Sequence, residues 1–197
     1  MGEATRVVDG IEIPAPGTWE IDVAHSTVGF VARHLMVTKV RGAFGVFGGK
    51  VLVGETPEDS SVEVHIDAAS IDSRSPDRDK HLRSPDFLDV ERYPDLVFRS
   101  TKVERTGDTT LRVHGDLTIR DVTKPVVLEA EFSGLTGDPW GGKRVAFSAT
   151  TEIDREAWGI TWNVALETGG VLVSKKVLID IEVQASLKEV TADVAAA

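Results

Sequence analysis

The sequence predicts an all-β fold of about eight short antiparallel strands, closed as a barrel or stacked as a sandwich, with one short helix between strands. Three observations predict it. Hydrophobicity alternates with period two along most of the chain, turns rich in Gly, Asp and Pro separate the alternating runs, and a helix start signal occurs in one segment.

Strands are expected at residues 19–22, 28–33 and 40–53, where apolar and polar side chains alternate or both faces are apolar. In 40–53, Ala43, Phe47, Val51 and Val53 share one face while Val40, Phe44, Val46 and Leu52 share the other. Such a strand suits a barrel wall with one face on the lumen and the other covered, here by the segment carrying Leu82, Phe87 and Leu88. Gly29, Gly42, Gly45, Gly48 and Gly49 withhold side-chain volume, which fits either curvature of the wall or a lumen kept open for a ligand.

Further along, Val62, Val64, Ile66 and Ala68 oppose Glu63, His65 and Asp67, and GETPEDS supplies the turn before them. The helix is expected at residues 76–83: Ser75 suits the N-cap, Pro76 the first position, Asp77 the positive end and Arg83 the last turn. Ser84, Pro85 and Asp86 repeat the signal and predict a second helical turn. Strands follow at 96–103, 112–120 and 126–132, the last two joined by a hairpin turn at RDVTK, and then at 144–153 and 177–188. Val177, Ile179, Ile181, Val183, Ala185 and Leu187 alternate without a break, as a strand with one wet face requires.

Composition narrows the function. With 22 basic and 32 acidic side chains the formal charge is -10, which argues against a nucleic-acid partner. The chain has no cysteine, so disulfides, thiolate metal sites and thiol nucleophiles are excluded. No run approaches the roughly 18 to 20 apolar residues of a membrane-spanning helix. The first residues lack the apolar segment of a secretory signal, so the expected location is cytoplasmic. Gly2 follows Met1, but Arg6 replaces the Ser or Thr that myristoylation requires. The absence of a linker or repeat leaves one domain. Residues 1–16 read as an N-terminal extension with a frayed terminus, 17–189 as the barrel and 190–197 as a flexible tail.

Five motifs occur in order: WEIDVAHSTVGFVARHL, VRGAFGVFGG, RDKHLRSPDFLDVERYPDLVFRS, GDLTIRDVTKPV and IDREAWG. In these the chain resembles the YceI-like family of polyisoprenoid-binding proteins, over roughly residues 17–187. The resemblance implies an eight-stranded antiparallel lipocalin-like β-barrel whose apolar pore holds an isoprenoid lipid, a polyprenyl chain or an isoprenoid quinone, without catalysis and without a cofactor other than bound lipid. It is also compatible with a homodimer. Many members carry a signal peptide, which the first residues of this sequence are not expected to form, and Trp158 stands where the family usually has Phe or Tyr.

Within that frame Phe30, Phe44, Phe47, Phe98, Leu117, Phe132, Phe147 and Trp158 are the expected wall of the bore, because aromatic and branched side chains match a methyl-studded chain. The segment DSRSPDRDKHLRSPDFLD interleaves cations and carboxylates and reads either as a solvated, ion-paired face or as part of a pore mouth. In the second reading Arg78 or His81, with Arg33 or His34, meets the head group; the arginine fork suits a phosphate. His65 and His114 fall on the polar faces of their strands.

Asp22, His25 and Ser26 contain the residue types of a nucleophilic site, but no GxSxG elbow presents a serine, so a hydrogen-bonded structural cluster is expected. His25, His34 and His81 lack the paired spacing of a metal site, and no nucleotide fingerprint is present. The expected function is therefore non-catalytic binding, storage or transport of an isoprenoid lipid. The alternatives are a ligand-free β module for interaction or stress protection, and a metal-binding or hydrolytic barrel enzyme.

Overall fold

The computed structural model describes residues 5–8, 10–137, 142–167 and 169–188; the expected tail at 190–197 lies outside them. Strands β1 (Thr5–Val8) and β2 (Ile11–Pro14) pair as a separate hairpin. β3 (Gly17–Ile21) and β4 (Thr27–His34) are two halves of one stave, interrupted by a single 3-10 turn at Val23–His25. β5 (Thr38–Phe44) and β6 (Phe47–Val53) form the next, and β7 (Ser61–Asp67) with β8 (Ile71–Asp72) the third. β9 (Asp95–Arg105), β10 (Thr110–Ile119), β11 (Val122–Gly137), β12 (Lys143–Asp154) and β13 (Val173–Leu187) complete the set.

Each stave pairs antiparallel with the next, and β13 joins β12 on one edge and both β3 and β4 on the other. An eight-stave meander thus closes on itself, which decides for the barrel over the sandwich and leaves no free edge around the closed wall. Loops 54–60 and 106–109 lie at one end, together with the β1–β2 hairpin. The β4–β5 turn, the helix α1 (Pro76–Arg83) and the segment between β12 and β13 lie at the other.

The long strand expected over 40–53 is broken. Gly45 N–H donates to the Ser70 carbonyl at 3.1 Å and Asp67 N–H to the Val46 carbonyl at 2.9 Å, so the two residues between β5 and β6 bond to the neighbouring stave rather than continuing the ladder. The break shifts the parity by one, and Phe44 and Phe47 both face the barrel interior although the alternation set them on opposite faces. The outer face is not covered as expected, since Val46 and Leu52 are 57% and 43% exposed. Two register shifts act in the same way, one at His114 and Gly115 in β9–β10 and one between Phe132 and Gly134 in β11–β12.

The helix spans the residues expected of it, with Pro76 at its start and Ser75 extended at the N-cap, although the Ser75 side chain makes no capping bond. Instead the buried Asp79 carboxylate accepts from the Ser73 N–H and hydroxyl at 2.8 and 2.5 Å, anchoring the first turn to the segment before it. The second helical turn expected at Ser84 is a hydrogen-bonded turn, with Phe87 and Asp89 N–H both on the Ser84 carbonyl. β10 and β11 meet in a tight turn of Arg120 and Asp121, where Arg120 takes a φ of 58°.

The main core closes the helix end with Phe87, Leu88, Trp158 and Ile160 and continues along the barrel through the staves' inward side chains as one buried cluster. Trp158 Nε1 donates to the Leu117 carbonyl at 3.0 Å. A second cluster, Trp19, Val145 and Ala185, each with no measurable exposure, occupies the opposite end. No helix among the described residues is long and apolar enough to cross a membrane.

Candidate functional site

Inside the barrel the staves enclose a cavity of about 320 Å³, lined in large part by the inward side chains of the main cluster. Its wall is aliphatic and aromatic, supplied by the inward face of every stave, as the period-two pattern dictates for a barrel. Phe30, Phe44, Phe47, Phe98, Leu117, Phe132 and Phe147 all line it. The Phe30 and Phe44 rings lie 6.1 Å apart and tilted, and those of Phe132 and Phe147 5.5 Å apart, so aromatic pairs form the wall on either side of β13.

Trp158 does not line the cavity. It belongs to the helix-end cluster, because the 3-10 turn Arg155–Trp158 after β12 carries it off the stave and over the barrel end. Its size therefore shapes the plug and not the bore.

The expected pore-mouth residues also lie away from the cavity. Arg78 donates to the Ser73 hydroxyl and carbonyl at 2.7 and 2.6 Å. His81 bonds Asp86 at 2.9 Å and stands edge-on between Phe87 and Trp162, with ring centroids at 5.0 and 4.5 Å. Arg33 reaches the Val37 carbonyl at 3.4 Å, and His34 is exposed at the end of β4. All four are at the helix end, which the core closes.

The charged part of the lining is at the other end. Arg6, Glu55, Arg105 and Asp108 border the cavity there, with Thr56, Ser60 and Thr109. Arg6 comes from the N-terminal hairpin, whose Val8, Ile13 and Pro14 also line the opening. Its guanidinium donates to Glu55 at 2.7 Å and to the Gly54 and Glu55 carbonyls at 2.8 and 2.9 Å, leaving its buried Nε without a partner. Of the N-terminal extension, the paired strands β1 and β2 are thus a folded cover at the polar mouth. Asp9-Gly10, flanked by apolar residues, is the hairpin signature in the sequence that marks these strands.

Asp22, His25 and Ser26 form the closed structural cluster expected of them. The Asp22 carboxylate caps the 3-10 turn through Ala24 N–H at 3.1 Å, bonds His25 Nδ1 at 3.0 Å and pairs with Arg144. Burial pushes its carboxyl up, but the hydrogen bond to His25, the charges of His25 and Arg144 and the Ala24 N–H together hold it below the usual carboxylate range. The Ser26 hydroxyl donates to the Asp22 carbonyl at 2.6 Å and accepts from Gln184 N–H at 3.0 Å, so it ties the strand break to β13. Among the described residues no group of three or more His, Cys, Asp or Glu side chains could hold a metal ion. His65 and His114 face outward onto Glu63 and Glu104, at 3.3 and 2.8 Å.

Sequence reasoning missed Arg155. It is 5% exposed, and its guanidinium donates to the carbonyls of Ile160, Ser174 and Val173 at 2.5, 3.0 and 3.5 Å, binding the plug to the start of β13. Burial lowers its pKa against the opposing charges of Glu156 and Asp154, yet a guanidinium stays charged in proteins.

The chain matches the family model described as YceI-like domain over residues 19–185. A UPF0312 protein of Vibrio parahaemolyticus is 44% identical over 132 residues, 66% of this chain and 70% of that one. The crystal structure of the Campylobacter jejuni YceI protein superposes with a TM-score of 0.69 at 28% identity, covering 80% of this chain and 90% of that one. A polyisoprenoid binding domain from Saccharophagus degradans has the same fold, with a TM-score of 0.67 at 13% identity over 88% of this chain and 100% of that one.

Proposed function

The chain belongs to the YceI-like domain family, and from that premise we propose that it is a non-catalytic carrier or store for an isoprenoid lipid, either a polyprenyl chain or an isoprenoid quinone. The observation that carries the reading is the polarity of the cavity: a mainly aliphatic and aromatic wall through the barrel, with charged side chains only at the end under the N-terminal hairpin. Such a space suits a long apolar chain with one polar terminus. The Saccharophagus degradans domain with the same fold is a polyisoprenoid binding domain, which supports a ligand of this kind.

The tail would lie against Phe30, Phe44, Phe47, Phe98, Phe132 and Phe147, and the head group near Arg6 and Arg105 in place of the helix-end residues. Each buried CH₂ contributes about 0.8 kcal/mol, so each five-carbon unit adds a few kcal/mol before ordering costs. A few units are enough for tight binding. The hydrolytic alternative is disfavoured because the Ser26 hydroxyl is engaged with backbone groups on both sides.

Native mass spectrometry of the purified protein, followed by organic extraction, tests the proposal. A co-purified or reconstituted isoprenoid at one per barrel is the expected result. Failure to take up polyprenyl phosphate or quinone on reconstitution would overturn it, as would a stoichiometric metal in the barrel.

A further inference from the structure

The turn between β4 and β5 is built against its own geometry. Val37 N–H donates to the His34 carbonyl at 3.1 Å, and both central residues have positive φ, 53° at Leu35 and 58° at Met36. That is the pattern of a type I′ turn, which favours Asn-Gly because side chains with a bulky Cβ are strained there. Here the strained positions hold Leu and Met. Neither is repaid by burial, since Leu35, Met36 and Val37 are 44%, 51% and 76% exposed. Strain held at an exposed apolar tip points to a use outside the folded chain.

The charges behind the tip point the same way. Arg33 and Lys39 are cross-strand partners, and Arg41 follows on the same face two residues along β5. Like charges set opposite each other repel. Among the described residues no carboxylate forms an ion pair with any of the three, and Glu167 is the acidic residue of the adjacent 166–170 turn. In a chain of net charge -10 this local cluster of cations calls for an anionic counter-surface.

We infer that the β4–β5 tip docks the protein on an anionic lipid bilayer, with Leu35, Met36 and Val37 entering the interface and Arg33, Lys39 and Arg41 meeting the head groups. Buried apolar area and attraction to anionic lipid are the two components that hold a protein on such a surface. A protein partner fits less well: a stable interface takes about 800 Å² from each side, and a convex three-residue tip offers far less. The inference goes beyond the cargo of the barrel and does not depend on it, because surface docking is measured whether or not lipid occupies the cavity.

Vesicle flotation with the full chain tests it, using vesicles of phosphatidylcholine alone and of equal parts phosphatidylcholine and phosphatidylglycerol. The wild type is expected to float with the anionic vesicles at low salt, to release at high salt and to ignore the neutral ones. The double variant Leu35→Asn with Met36→Gly gives the turn its favoured residues, so its melting temperature should hold or rise while vesicle affinity falls by about tenfold or more. Lys39→Glu with Arg41→Glu should lose binding to the anionic vesicles at unchanged fold. A wild type that never floats, or an Asn-Gly variant that floats as well as wild type, overturns the inference. So does a wild-type dimer in solution that the Asn-Gly variant dissociates, which would assign the tip to a second copy of the chain.

Discussion

The Phe98 ring occupies the space where a side chain on Gly115 would be: a Cβ there would stand 2.4 Å from Phe98 Cζ and 2.6 Å from the Arg99 carbonyl oxygen. Gly42 receives Phe30 in the same way, with the ring carbon at 2.4 Å. These glycines seat the aromatic wall of the cavity. Gly115→Ala should therefore displace a ring and press on backbone, costing about 1 to 3 kcal/mol. Urea unfolding measures it, and a variant as stable as wild type would show that the ring moves freely.

Ala130 and Ala149 face each other across β11 and β12 and both line the cavity. Ala149→Phe should fill space that a ligand would otherwise take, so lipid recovered per protein should fall while the ligand-free melting temperature stays close to wild type. A solid core would answer with the about 1 to 3 kcal/mol penalty of overpacking instead. Trp158→Phe should give the opposite pattern, weakening the plug by loss of its bond to Leu117 and leaving lipid content unchanged.

The strands and the helix were legible because a barrel wall repeats one local rule: inside, outside, inside. Wherever that rule holds without interruption, as from Val177 to Leu187 in β13, the sequence identifies the lumen face directly. It fails where pairing partners intervene. Nothing local in VRGAFGVFGG says that Gly45 and Val46 will bond to the third stave, so Phe44 and Phe47 read as opposite faces when they share one. Charge-rich segments mislead for a related reason. Arg78 and His81 look available for a ligand until the fold supplies Ser73, Asp86 and Trp162 as their partners. Arg155 is the converse, a cation in a motif whose burial only the closed barrel reveals.

The depressed Asp22 carboxyl links stability to pH. A carboxylate whose folded pKa lies below its unfolded value of about 3.9 contributes stability that is fully present above that value and is lost as pH falls through the folded pKa. Asp22→Asn keeps an oxygen for Ala24 N–H but gives up the charge that meets Arg144 and His25. The variant should be less stable than wild type at neutral pH, and the gap should close as the solution is acidified below about pH 4. Denaturant midpoints of both proteins across that range check it; a gap independent of pH would assign the loss to geometry and not to charge.

Arg155 is buried without a carboxylate ion pair among the described residues, and its desolvation is offset by three backbone carbonyls on two segments. That arrangement depends on the fork of the guanidinium, which reaches Ile160 in the plug and Ser174 in β13 at once. A lysine keeps the charge but presents it at one point, so Arg155→Lys should leave at least one buried carbonyl unpaired and cost about 2 kcal/mol or more. The loss should be local as well as global. Amide exchange should accelerate in the segment from Ile160 to Val173 before it does in β10 or β11, because the guanidinium joins that segment to the wall. Equal exchange in the two proteins, with equal unfolding midpoints, would mean that the plug is held by its aromatic contacts alone.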